Sequence, residues 1–401
     1  MYVPSNKSYT LDFSGINQLD EEKCNTWTLS DLQARTRYLI NCNADLPSFN
    51  LPMQAETNAW SKFIYITPMT EANIMAHQEM ADQILSNIVY EASADNNTWI
   101  SAEKKGDDWV IVGLEPSTTY TLRARFGGVI SSNVESLTTE NATPIPNGNM
   151  EEWTSSKLHG GNGTWDRDLY CDYCSGWSTR NERTTHGATD ANGINNYGAK
   201  WHWCSTTSSC DDLEGGKAAE ISTLAFYNNK INSSTIGLLG NRSKVWERIL
   251  ESNSIYYGVL FLGSYHVGDS SEDDIYDMGI SHDSRPKAFS FDYMYTPIDG
   301  DASIIYAKLY DVNMQEIAST EIFEENRPVE GFTHYSLDFI YLDKNVSAGY
   351  IAIFFQSGTI QDINKMNYEE GSYGSTPFGE DRIVGSVLKI DNVTLNYDYE
   401  N

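Results

Sequence analysis

Beyond Pro146 the chain shows short strand-like runs at the spacing of a sandwich: 217–226, 255–263, 287–295, 303–310, 335–340, 350–356 and 385–397. Runs of this length, repeated at close spacing and separated by turn residues, predict two antiparallel sheets packed as a jelly roll. The last run, Gly385 to Tyr397, reads G-S-V-L-K-I-D-N-V-T-L-N-Y. Its two alternating sets each mix apolar with polar groups, which predicts a half-buried strand near a sheet edge or seam. Asp391 lies among its β-branched and aliphatic residues, and a carboxylate there needs a cation or several hydrogen-bond donors.

Composition supports the β reading. Aromatic residues make up 12% of the chain, with 25 Tyr and 10 Trp, and Leu-rich helical heptads are absent. The net charge of −29 is spread along the chain, which argues against nucleic acid and anionic lipid surfaces as partners. No apolar run approaches the ~20 residues that span a bilayer. The opening M-Y-V-P-S-N-K-S lacks the basic and apolar regions of a signal peptide, so either the protein is cytosolic or a leader has been cut away.

The first 140 residues contain a repeat. When Trp27 is laid on Trp109, Leu32, Thr36, Tyr38 and Thr57 fall on Leu114, Thr118, Tyr120 and Thr139. In the second copy W-V-I-V-G-L-E-P-S-T-T-Y-T-L-R-A-R-F gives two alternating strands about a turn at Glu115, Pro116 and Ser117. This copy resembles a fibronectin type III module, in which the corner Tyr, here Tyr120, satisfies nearby backbone with its hydroxyl. Residues 71–85 carry Ile74, Met75, Met80, Ile84 and Leu85 at helical spacing and are expected as an inserted helix. The first copy is too short for a whole sandwich, so the chain is expected to begin inside a module. The organisation predicted is a partial immunoglobulin or fibronectin III-like module over 1–57, a fuller one over 58–143, and a jelly roll over 144–401, with the boundary in the proline-punctuated T-T-E-N-A-T-P-I-P. The N-terminal modules read as spacer or scaffold.

Blocks along the C-terminal region carry a more specific resemblance: I-P-N-G-N-M-E-E-W, C-S-G-W-S-T-R-N, G-G-K-A-A-E-I-S-T, S-R-P-K-A-F-S-F-D-Y-M-Y-T-P, I-A-I-F-F-Q-S-G and the closing G-S-V-L-K-I-D-N-V-T-L-N-Y. Together they resemble the carbohydrate-metabolism domain family (PCMD) of Bacteroidetes surface lipoproteins. That resemblance implies a jelly roll in an exported, cell-surface protein, lipid-anchored to the outer membrane through a leader not seen here, with a role in glycan handling. The opening N-G-N-M-E and closing K-I-D-N-V are also similar to the end blocks of jelly-roll carbohydrate-binding modules, where a Glu and an Asp hold a structural calcium. Carried over, Glu151 and Asp391 are its side-chain ligands, with backbone oxygens completing the shell. The alternative is Asp391 held by backbone N–H groups alone.

The stretch after Trp153 is rich in rings on glycine- and asparagine-rich sequence. Trp165, Tyr197, Trp201 and Trp203 are the candidates for stacking on the C–H faces of a polysaccharide or oligosaccharide; Trp153 and Trp177 read as core. Cys171, Cys174, Cys204 and Cys210 are expected as disulfides, with a zinc site and free thiols as alternatives, and Cys24 with Cys42 could close a loop worth about 3 kcal/mol. No nucleophile elbow, H-E-x-x-H, P-loop or dinucleotide fingerprint occurs. Glu151 with Glu152, or Asp338 with Glu321, are the pairs a glycosidase would use. The reading is a non-catalytic carbohydrate-binding surface protein; the alternatives are a glycoside hydrolase on the same fold and an adhesion or assembly component that binds protein.

Overall fold

The computed structural model describes residues 46–159, 168–186, 205–212, 215–231, 246–269, 272–369 and 382–400, with the short strands Tyr2–Val3, Tyr9–Asp12, Thr26–Leu29 and Thr36–Arg37 before them. It is mostly β, in two compact units: Met1–Ala142 with Asp398–Glu400, and Thr143–Tyr397. Among the described residues no helix is long and apolar enough to cross a membrane.

In the first unit a three-stranded sheet (Phe63–Ile66, Glu103–Lys105, Asp108–Val112) and a five-stranded sheet built around Thr119–Phe126 enclose one core. The predicted alternation holds: Tyr120, Leu122, Ala124 and Phe126 are buried and the residues between them are not. The Tyr120 hydroxyl accepts the Glu115 N–H at 2.9 Å, the corner contact expected of it. Phe49 and Leu51, assigned by sequence to the first module, sit in this same core, and Ser48–Phe49 pairs with Ile74–Ala76. The helix expected over 71–85 is therefore shorter, running Ala81–Asn87. Thr70 and Asn73 close a capping box on a single turn, Ile74 then extends to pair with Phe49, and His77 at φ 66 breaks the path before the helix starts. Tyr399, near the end of the chain, belongs to this unit. Its ring lies 5.2 Å from that of Phe63, while Asp398 pairs with Lys62 at 3.0 Å and Glu400 with Lys105 at 2.5 Å.

The second unit is a jelly-roll sandwich of two seven-stranded antiparallel sheets. One sheet runs Thr207–Asp211, Lys217–Ile231, Arg382–Asn396, Ala288–Thr296, Val329–Asp338; the other runs Ser178–Thr179, Val259–Phe261, Tyr350–Gln356, Ile304–Tyr310, Glu316–Ser319, Ile340–Tyr341. Between them Ile221, Phe289, Phe291, Leu388 and Ile390 meet Leu260, Ile305, Leu309, Ile353 and Phe355. The closing strand is not at an edge: it lies between Lys217–Ile231 and Ala288–Thr296. Its mixed faces come from a β-bulge. Asn392, at φ 49, and Val393 together oppose Phe291, so the inward set changes from Leu388 and Ile390 to Val393 and Leu395. Leu388, Ile390, Val393 and Leu395 thereby all reach the core, while Val387 packs with Leu224 and Val384.

Candidate functional site

The opening turn is held to the closing strand. Asn147 and Met150 adopt φ of 45 and 52, and the Val393 N–H donates to the Gly148 carbonyl at 2.7 Å. A Cβ on residue 148 would collide with the Val393 carbonyl, which explains the glycine there. The turn delivers Glu151 to the loop ahead of Lys217, whose N–H donates to Glu151 Oε1 at 3.0 Å. In that loop Asp212 Oδ1 accepts the Gly216 N–H at 2.7 Å, and both carboxylates crowd against the α-carbon of Gly216. Asp391 is only 5% exposed, takes the Asn392 N–H on Oδ1 at 2.7 Å and lies opposite Asp292. Asp292 is engaged by His334 Nδ1 at 2.8 Å and Asn392 Nδ2 at 3.0 Å.

Burial, reinforced by the charges of Asp212, Asp292 and Glu151, pushes the Asp391 carboxyl up to about 6. The lysines beside the seam are already paired, Lys217 with Asp211 at 2.7 Å and Lys389 with Glu220 at 3.2 Å. The backbone groups that meet Glu151, Asp212 and Asp391 are N–H donors, from Lys217, Gly216 and Asn392 in turn. Among the described residues no three His, Cys, Asp or Glu side chains converge closely enough to hold a metal. Sequence reasoning nominated Glu151 and Asp391 and did not single out Asp212 or Asp292, whose place near Asp391 depends on a loop and on strand register.

A second feature lies on the outward face of the other sheet. Ser178, Phe261, Phe354 and Tyr306 are successive cross-strand neighbours. The Phe354 and Tyr306 rings stack at 5.2 Å and 26°, Phe261 follows 6.4 Å from Phe354, and Tyr276 covers Phe261 at 5.5 Å. Phe354 and Tyr306 are half-exposed, whereas Phe261 is buried. Parallel to this row run Tyr350 with Tyr310, then Glu316, which holds Lys308 at 2.7 Å. The Phe354 and Tyr306 rings, on adjacent strands, form a small platform flanked by groups able to hydrogen-bond hydroxyls, with Phe261 buried beside them under Tyr276. The signal was present in the sequence as Tyr306, Tyr310, Tyr350 and Phe354 at alternating positions, but only the register aligns them.

Trp165, Tyr197, Trp201 and Trp203 lie outside the described residues, as do Cys24, Cys42 and Cys204. Trp177 is buried in the core and Trp153 packs partly against it. Cys171, Cys174 and Cys210 are free thiols, which corrects the disulfide expectation for them. Cys171 and Cys174 stand three apart on the strand Asp168–Cys174 and so point to opposite sides. Cys174 faces Met150 in the core, and burial pushes its thiol up to about 12. Of the carboxylates nominated for hydrolysis, Glu151 and Glu152 follow the opening turn, Asp338 ends Val329–Asp338 and Glu321 follows Glu316–Ser319.

No family model matches the chain, and no curated protein matches it. Among solved structures it is similar to a candidate glycoside hydrolase from Bacteroides thetaiotaomicron, at 16% identity and a TM-score of 0.36 over 72% of this chain and 82% of that one. It is also similar to carbohydrate-binding modules of the β-sandwich superfamily, at 8% identity and a TM-score of 0.24 over 87% and 97%. A third likeness, to the enzymatically active domain of a bacteriophage tailspike protein, has 11% identity and a TM-score of 0.21 over 55% of this chain and 19% of that one. Likeness at this level carries no argument about what the present chain does.

Proposed function

We propose that the jelly-roll unit is a non-catalytic glycan-binding module of an exported, lipid-anchored surface protein, with the N-terminal unit as its spacer. The observation that carries the reading is the stacked pair of outward, partly exposed rings at Phe354 and Tyr306. Pyranose rings present apolar C–H faces and polar edges, so they stack on such a platform while Tyr310, Tyr350, Lys308 and Glu316 hydrogen-bond the hydroxyls. The two accessible rings sit on adjacent strands ~4.8 Å apart, a footprint suited to one or two sugar rings. The rings at Trp165, Tyr197, Trp201 and Trp203 are assigned to the same ligand on the sequence pattern alone.

A glycan array followed by calorimetry on each hit tests this. Phe354→Ala and Tyr306→Ala are expected to weaken binding about tenfold each, or 1.4 kcal/mol, with the far-UV circular dichroism unchanged. An array without a hit sinks the reading in favour of a protein partner, and release of shortened sugars would replace binding by hydrolysis. Calcium at the seam is proposed as structural, supported by the gathering of Asp212, Asp292 and Glu151 around Asp391. It predicts a higher melting temperature in calcium than in chelator; equal values remove it.

A further inference from the structure

Arg180 follows directly on the strand Ser178–Thr179, whose Ser178 is the end member of the ring row. Its guanidinium lies 5.4 Å from the centre of the Tyr256 ring, and its charge reaches the hydroxyls of Tyr257, Tyr265 and Tyr276. Tyr276 is the residue that covers Phe261. Arg180 therefore stands at the Phe261 end of the platform.

The side chain is 14% exposed, and its Nε is buried with no hydrogen-bond partner. The carboxylate beside it, Asp274, is 3.7 Å away and already saturated. Arg183 Nε donates to both Asp274 oxygens at 3.1 and 3.2 Å, and Arg183 Nη2 also contacts Oδ1. The Tyr265 hydroxyl donates to Oδ2 at 2.6 Å and the Gly268 N–H to Oδ1 at 3.0 Å. A carboxylate offers about four lone-pair sites, so Asp274 has nothing well aimed left for Arg180. The Arg180 Nε is withdrawn from water without a partner, and among the described residues the guanidinium charge is offset only by the 3.7 Å approach to Asp274 and by the Tyr256 ring. Its planar fork matches a carboxylate in shape and charge, and the flanking tyrosines suit a sugar ring beside it.

We infer that Arg180 receives the carboxylate of a uronic acid residue in a glycan that stacks on the Phe354 and Tyr306 rings and passes over Tyr276, the ring that covers Phe261. The inference rests on the glycan-binding reading and narrows it to acidic glycans. It is tested on the full chain by calorimetry with a panel of galacturonate, glucuronate and mannuronate oligosaccharides, each beside the same oligosaccharide with its carboxyls reduced to hydroxymethyl groups. At least one acidic member should bind tenfold or more tightly than its reduced counterpart. Arg180→Gln should bring the acidic ligand down to the level of the neutral one, and Phe354→Ala should weaken both. The comparison in the unaltered protein stands even if a variant fails to fold. Equal or tighter binding of the reduced ligands overturns the uronate assignment and leaves glycan binding intact. An acidic preference that survives Arg180→Gln overturns the role of Arg180. No binding to any acidic member, with hits on neutral glycans elsewhere, also overturns the uronate assignment alone; no binding to any glycan removes both.

Discussion

Asp391 is a carboxyl that the folded chain prefers protonated. With the folded group near 6 and the unfolded one near 3.8, the native state binds more protons between those values, so stability is greatest below the unfolded value and falls as pH rises through the folded one. Asp391→Asn removes that ionisation penalty. In chelator at pH 7.5 it should raise stability by on the order of 2 kcal/mol, and the gain should vanish near pH 4; chemical denaturation at the two pH values measures it, and a variant less stable than the parent at pH 7.5 refutes it. Tyr120 gives the opposite case, a hydroxyl satisfying the Glu115 N–H. Tyr120→Phe leaves that donor without its partner and should cost about 1 to 2 kcal/mol, read as a lower midpoint for the first unit in urea. Both residues could be found in the sequence, because a lone acid in an apolar strand and a Tyr after an L-x-P turn are local patterns. Arg180 could not, since its distinction lies in what Asp274 has already been given.

The closing strand shows what local pattern conveys and what it loses. Its existence and extent were legible from alternation, but the switch of phase at Asn392 made both faces look mixed and suggested an edge. The bulge resolves the conflict by adding one residue to one strand. Asn tolerates the left-handed conformation there and glycine adopts it at no steric cost. Asn392→Gly is accordingly expected to be neutral or stabilising by a few tenths of a kcal/mol, while Asn392→Val should cost about 1 to 2 kcal/mol; thermal melts of the two variants make the comparison, and equal melts would mean that backbone conformation is not what selects Asn. The ring row was hidden for a related reason. Phe261, Tyr306 and Phe354 are far apart in the chain and become neighbours only through pairing, and pairing is a property of the sheet rather than of any segment.

At the scale of the whole molecule, β class and the break near residue 143 were legible because strand spacing and the proline-rich joint are compositional. The contribution of Phe49 and Leu51 to the second module's core was not, since nothing in a two-residue strand announces its partner. The first unit is also discontinuous in sequence, taking Asp398–Glu400 from beyond the jelly roll. Truncation after Tyr397 uncovers Phe63 and breaks the pairs at Lys62 and Lys105. It should lower the first unit's urea midpoint, by about 1 to 3 kcal/mol for the lost ring burial, without shifting the transition of the second.

The return of Tyr399 to Phe63 also sets an order of events during synthesis. The ribosome makes the first unit's strands early, yet the ring that covers Phe63 emerges only after the whole jelly roll has been translated. At the roughly 5 to 20 residues per second of elongation, the first unit waits more than ten seconds for its last piece. During that interval Phe63 is a point of attack for proteases and chaperones, and nascent chains stalled before and after Tyr399 should differ in how readily the first unit is cleaved.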